Sequence, residues 1–157
     1  MTYKIEGVDP TPYRHLFGLA DEQLAAEGAI RMTVSAKPSF PCRVSLTDRD
    51  IGEAVLLVNH VSHDVANPYR ASHAIFVTEG ADEAATYVNE IPPVFETRVL
   101  SLRGFDAQGL MVDAMLAQPG EADAAIRKLF DNPGIANIHA HNAVRGCFAA
   151  KVERTVS

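Results

Sequence analysis

The chain is poor in the features that mark several large protein classes. It holds two cysteines, Cys42 and Cys147, in 157 residues, so no disulfide framework organises it. Basic residues are scattered, with no run longer than the pair Arg127-Lys128, and 14 of them stand against 20 acidic ones for a formal net charge of −6. A nucleic-acid binder needs a basic stripe to neutralise phosphates, so that partner class is disfavoured. The longest purely aliphatic run, Ala54-Val55-Leu56-Leu57-Val58, is far too short to span a bilayer. The opening Met1-Thr2-Tyr3-Lys4-Ile5-Glu6-Gly7 lacks a continuous apolar stretch, which predicts no secretory signal and a cytoplasmic setting with both thiols reduced. There is also no glycine-rich phosphate loop, no Gly-x-Ser-x-Gly and no His-Glu-x-x-His. Those absences argue against nucleotide-dependent enzymes, α/β-hydrolases and the usual zinc peptidases.

What is present is ordinary globular composition, with 47% hydrophobic and 22% charged residues. The length fits one domain over residues 1–157, and such a domain buries roughly 68–70% of its unfolded surface without help from a metal or disulfide. Residues 3–6 predict a short strand, and Tyr13, Leu16 and Phe17 one or two helical turns. Asp21 is expected to cap a short helix that Gly28 ends, and Ile30, Met32 and Val34 alternate as in a half-buried strand. Residues 37–46 hold two prolines and read as extended and irregular. Residues 53–61 form an apolar strand, and Ser62 to Ser72 a polar connection into a strand that His73 opens.

Further on, Asp82 is expected to cap a helix running through Val88, closed by Pro92-Pro93. Val94 to Phe105 and Leu110 to Ala117 predict a hairpin across Asp106-Ala107-Gln108-Gly109. Ala122, Ala125, Ile126, Leu129 and Phe130 recur at helical spacing, which predicts a helix over 121–131. A last hairpin pairs 135–141 with 147–154. Strands dominate and the helices do not alternate strictly with them. The expected fold is therefore a single α+β domain, a mainly antiparallel or mixed sheet with helices packed on it.

Reactive side chains concentrate in Ile138-His139-Ala140-His141-Asn142-Ala143-Val144-Arg145-Gly146-Cys147. His139 and His141 lie two apart on a strand, so both point to one face with Cα atoms about 6.5–7 Å apart. That spacing suits a metal only if a third ligand arrives, from Cys147, Asp113, His73 or Cys42. The expectation is that no metal binds. Hairpin register decides what joins this face. With a loop of Ala143 to Gly146, Asn142 opposes Cys147 and Phe148 joins the histidines; with a loop one residue shorter, Cys147 joins them. Cys42 and Cys147 each have an arginine near in sequence, Arg43 and Arg145, as a nucleophile needs, though free cysteines more often simply pack. Asp113 interrupts an apolar strand and is an acid or base only if it faces inward. Tyr69, Arg70 and His73 precede a strand, where arginine suits forked recognition of carboxylate or phosphate.

Phe40-Pro41-Cys42-Arg43-Val44-Ser45-Leu46, Asn67 through Val77, Met111-Val112-Asp113-Ala114, and Ile138 through Ala143 with Gly146-Cys147 together resemble the mostly bacterial domain-of-unknown-function family 1203. The resemblance spans essentially the whole chain. It implies no activity, cofactor or catalytic residue, only that these four segments are characteristic together.

The same segments carry the polar groups singled out above. They are expected to converge in one pocket for a small anionic molecule, with Cys42, Arg43, His73, His139, His141 and Asn142 lining or supporting it. Tyr69, Arg70 and Arg145 complete the candidate ligand-binding set. The alternatives are an enzyme whose catalytic groups come from His73, His139, His141, Cys42, Cys147 and Asp113, and a protein-interaction module in which the same groups are internal scaffolding. The sequence names no cofactor and leaves oligomeric state open.

Overall fold

Alternation of apolar and polar side chains draws the chain into two sheets, which the computed structural model describes over residues 1–156. The larger contains β1 (Thr2–Glu6), β7 (Thr86–Val88), β8 (Leu100–Phe105), β9 (Met111–Ala117), β10 (Asn137–Asn142) and β11 (Phe148–Thr155). Its order is β7-β1-β11-β10-β8-β9, with every neighbour antiparallel. The smaller contains β2 (Ile30–Thr33), β3 (Pro41–Cys42), β4 (Thr47–Asp48), β5 (Ala54–His63) and β6 (Ala71–Thr78), in the order β2-β5-β6-β3-β4. Only β3 and β6 pair in parallel. The fold is α+β, with mainly antiparallel sheets and a few short helices.

The helix read from residues 121–131 forms as α3 (Ala122–Phe130) and buries Ala122, Ala125, Ile126, Leu129 and Phe130. These join Leu100, Leu102, Ile138, Ala140 and Val152 in the larger core, so α3 covers one face of the six-stranded sheet. Tyr3 fixes its first turn by donating its hydroxyl to Asp123, which also accepts from Arg127 one turn on. The opposite sheet face carries His139 and His141. Towards it comes the inner face of the smaller sheet, where Leu56, Val58, Ile75 and Val77 share a second core with Phe148 of β11.

Several local expectations change. Residues 86–88 form strand β7, and no helix runs from Asp82. Thr86, Tyr87 and Val88 pair with Glu6, Ile5 and Lys4, and that edge pairing outweighs the helical propensity of the preceding alanines. Val94 to Glu96 belong to a short helix, α2 (Pro93–Glu96), because Pro93 sits in its first turn, where a missing N–H costs nothing; the strand begins at Leu100. Asp21 is the first residue of α1 (Asp21–Ala26) rather than its cap, and Gln23 instead accepts from the Ala20 N–H. Strands β5 and β6 run on to His63 and back from Ala71, so part of the expected polar connection is sheet. Both expected hairpins, β8–β9 and β10–β11, are present.

Candidate functional site: a histidine seam between the sheets

Cross-strand pairing sets the site. On β5 and β6 the inward positions run Leu56 opposite Val77, Val58 opposite Ile75, then His60 opposite His73. The aliphatic facing therefore gives way to imidazoles at one end. On β10, His139 and His141 share a face as period two requires, and Arg103 and Ser101 of β8 stand directly across from them. Five of the six histidines meet along this seam. The rings of His63 and His139 lie 4.9 Å apart edge to face, as do those of His73 and His141. Phe148 packs against His60, His139 and His141, and Phe105 against His63 and His139.

Phe148 reaches this position because the last hairpin adopts the longer of the two loops. The Asn142 N–H donates to the Cys147 carbonyl, and Gly146 N–H returns to the Asn142 carbonyl. The same register sets Phe148 opposite His141, and a bulge at Ala149 then puts Ala150 opposite Ala140. Cys147 stays off the histidine face. Its Sγ accepts from Arg43 Nη2 at 3.0 Å and from Asn142 Nδ2 at 3.5 Å.

Arg43 is 3% exposed, and its remaining bonds go to carbonyls, Nε to Phe148 at 2.8 Å and Nη1 to Pro41 at 2.6 Å. Burial lowers its pKa from the ordinary range. Arg103 is half-buried and commits only its Nε, to Ser101 Oγ at 3.2 Å. Among the described residues neither arginine pairs with a carboxylate.

Four of the imidazoles, His60, His73, His139 and His141, are held neutral. Burial pushes His139 down to about 3, helped by His63, His141, Lys151 and Arg103. Burial likewise brings His141 to about 4, against a raising hydrogen bond to the Gly146 carbonyl, and lowers His60 and His73. Tautomers follow from partners that can only accept. His63 Nε2 faces the Gly109 carbonyl at 2.9 Å and must carry its proton, leaving Nδ1 as an acceptor. His141 Nδ1 faces the Gly146 carbonyl at 3.1 Å, leaving Nε2 as its acceptor. Tyr13 Oη bonds His60 Nδ1 at 2.7 Å, and Ser62 Oγ bonds His73 Nδ1 at 2.8 Å. His139 has no hydrogen-bond partner among the described residues, although it is 3% exposed.

The expected site residues divide. His73, His139 and His141 come together, and Arg43, Asn142 and Cys147 form an adjoining cluster behind the start of β11. Cys42 lies elsewhere, beside a separate cleft with Val44, Ser45 and Thr78, its Sγ taking the Thr78 N–H at 3.3 Å. Asp113 is exposed and pairs with Gly104, which puts it on the sheet face away from His139. Tyr69, Arg70 and Arg145 are exposed, Tyr69 with its ring edge near Phe105 and Arg70 bonded to Asp64. The residues the sequence did not single out are His60, His63 and Asn137. Reading β5 as an alternating strand through its polar end would have found the first two. Among the described residues, no three His, Cys, Asp or Glu are placed to hold a metal ion.

Two antiparallel-rich sheets with a histidine-lined seam define an α+β domain with a polar inter-sheet site. The chain belongs to the family described as a protein of unknown function, DUF1203, whose model matches residues 39–154. That span contains all five seam histidines, together with Arg43, Arg103 and Cys147. No curated protein and no solved structure matches the chain.

Proposed function

We propose that the protein binds a small anionic molecule, a carboxylate or phosphate, on the histidine–arginine side of the seam. The observation that carries this reading is Arg103, half-buried beside His139 and His141 with both Nη atoms uncommitted. A guanidinium presents two parallel donors to an oxyanion, and in the tautomer whose Nδ1 accepts from Ser62 Oγ the His73 ring adds an Nε2–H donor. Arg43 contributes positive potential from behind. The chain's net charge of −6 leaves nucleic acid out of this reading, and no helix among the described residues is long and apolar enough to cross a membrane. A cytoplasmic setting, with Cys42 and Cys147 reduced, belongs to the same proposal.

Titration with inorganic phosphate, sulfate, succinate and citrate, followed by thermal shift and by histidine ring NMR, tests it. Binding is expected to weaken with added salt, and Arg103→Met to weaken it by about 10–100-fold, the worth of a charge-assisted hydrogen bond. No response to any of these ions would refute the reading.

A second reading, an enzyme with Cys147 as nucleophile, is favoured by one feature. The half-buried Sγ accepts from two donors, one of them a guanidinium. It requires Cys147 to react with iodoacetamide far faster than buried Cys42, and Arg43→Lys to slow that reaction. Equal and slow labelling of both thiols removes it.

A further inference from the structure

The guanidinium of Arg103 is placed by its own strand. Its Nε donates to Ser101 Oγ at 3.2 Å, which folds the side chain back along β8, and Ser101 stands directly across from His141 of β10. Facing side chains of an antiparallel pair have Cβ atoms about 4.5–5.5 Å apart, so the uncommitted Nη atoms lie beside the His141 ring. The two groups ask for opposite partners. Arg103 can only donate. His141 spends its one ring proton on the Gly146 carbonyl through Nδ1, and Nε2 is left as an acceptor. Burial holds the ring near pKa 4, so at neutral pH that acceptor is not protonated away. Nε2 has no partner within the protein. Nor is it one of the unpartnered atoms sealed from solvent, which among the described residues are Thr78 Oγ1, Asn137 Oδ1 and Thr155 Oγ1. A small molecule can therefore reach it. Ser101 and His73 do not discriminate, because a hydroxyl serves either role and His73 Nε2 follows the Ser62 proton.

A bare oxyanion satisfies the arginine and fails the histidine. Acetate, succinate and sulfate carry only acceptors, and their oxygens would face the lone pair of Nε2. A neutral alcohol satisfies the histidine and leaves the guanidinium without a counter-charge. The ligand that suits both carries charged oxygens and a hydroxyl on neighbouring atoms, since the two protein groups are themselves neighbours. In a 2-hydroxycarboxylate the carboxylate forks onto the two Nη atoms, and the adjacent hydroxyl donates to His141 Nε2. Hydrogen phosphate is the other source of this chemistry. Its hydroxyl oxygen is held at a fixed angle to the forked oxygens, whereas the hydroxyl of a 2-hydroxycarboxylate turns about a single bond to meet the ring.

We infer that the seam site selects 2-hydroxycarboxylates, with Arg103 taking the carboxylate and His141 Nε2 accepting from the hydroxyl. The inference rests on the anion reading of the same site and specifies its ligand. The probes are glycolate against acetate and methoxyacetate, malate against succinate, and hydrogen phosphate against sulfate. The readout is the dissociation constant from ring resonances in histidine-labelled protein. Glycolate is expected to bind about tenfold more tightly than acetate, and malate than succinate, the worth of one added hydrogen bond. Methoxyacetate keeps the charge and the oxygen but not the proton, and is expected to bind no better than acetate. His141→Phe keeps an aromatic ring against Phe148 and removes the acceptor, so within that variant glycolate and acetate are expected to bind alike. Equal binding of glycolate and methoxyacetate to the wild-type protein overturns the inference. So does hydrogen phosphate binding more tightly than glycolate and malate, or a glycolate preference that survives His141→Phe. In those cases the anion reading still stands, whereas silence towards every probe removes both. The comparison of glycolate with methoxyacetate needs no variant, so a poorly folded His141→Phe does not remove the test.

Discussion

At the scale of single residues, the seam makes the protein acid-sensitive in a defined direction. In the unfolded chain a histidine takes its proton near pH 6.5, whereas folded His139 does so near 3 and His141 near 4. Between these values the unfolded state binds more protons, so stability is lost as pH falls through 6.5 and the loss continues down to the folded values. At pH 5 the cost is about 2 kcal/mol for each ring. His139→Phe is expected to shrink the difference in unfolding free energy between pH 7 and pH 5 by about that amount, measured by denaturant titration at both pH values. Gly109 is the other sensitive position. Its φ of +80° is the left-handed region that glycine adopts cheaply, and an added Cβ would stand 2.6 Å from Val65 Cγ1 and 3.3 Å from His63 Nε2. Gly109→Ala is therefore expected to cost about 1–3 kcal/mol and to shift the His63 ring resonances, since it presses on the atom that anchors that ring.

At the scale of elements, the β10–β11 hairpin decides which side chains enter the seam. Its bulge gives β11 one more residue than β10 between Ala140 and His141. Deleting Ala149 would close the bulge and leave His141 opposite Phe148 and Ala140 opposite Ala150, so both side-chain faces are kept. Cooperative unfolding and an unchanged near-ultraviolet circular dichroism spectrum are the expected result. The helix on the other sheet face behaves more simply. Ile126 is fully buried between α3 and the sheet, so Ile126→Ala should cost about 2–5 kcal/mol by denaturant unfolding. It should leave the seam histidine resonances in place, because the six-stranded sheet lies between.

At the scale of the molecule, the two sheets are tied by a few polar links as well as by the core around Phe148. Arg43 of the β3 turn reaches the Phe148 carbonyl, and Val94 N–H reaches the Leu46 carbonyl. Arg98, just before β8, grips Asp48 of β4 with two bonds at 2.8 and 2.6 Å, both side chains being largely buried. Removing one partner would leave the other carboxylate or guanidinium unpaired in a dry contact. Arg98→Ala is expected to destabilise by about 2–4 kcal/mol, and Asp48→Asn,Arg98→Met to recover part of that loss, as thermal unfolding of the single and double variants would measure.

What the sequence determined by itself is what depends on local period and punctuation. Helical spacing over 122–130 specified α3 and its buried face. Period two placed His139 and His141 on one side of β10, and turn residues at 106–109 and 143–146 marked both hairpins. Tertiary structure alone decided the rest, because each remaining feature is a balance between distant segments. Residues 86–88 became a strand by pairing with β1, and the hairpin loop length was settled by where Phe148 packs. His60 and His63 entered the site only because β5 stays extended against β6, and Cys42 left it because β3 turns its thiol towards Thr78. No residue spacing encodes the meeting of β10 with β5 and β6. It follows from the two sheets burying their apolar faces, which carries the histidines at the ends of those faces into contact.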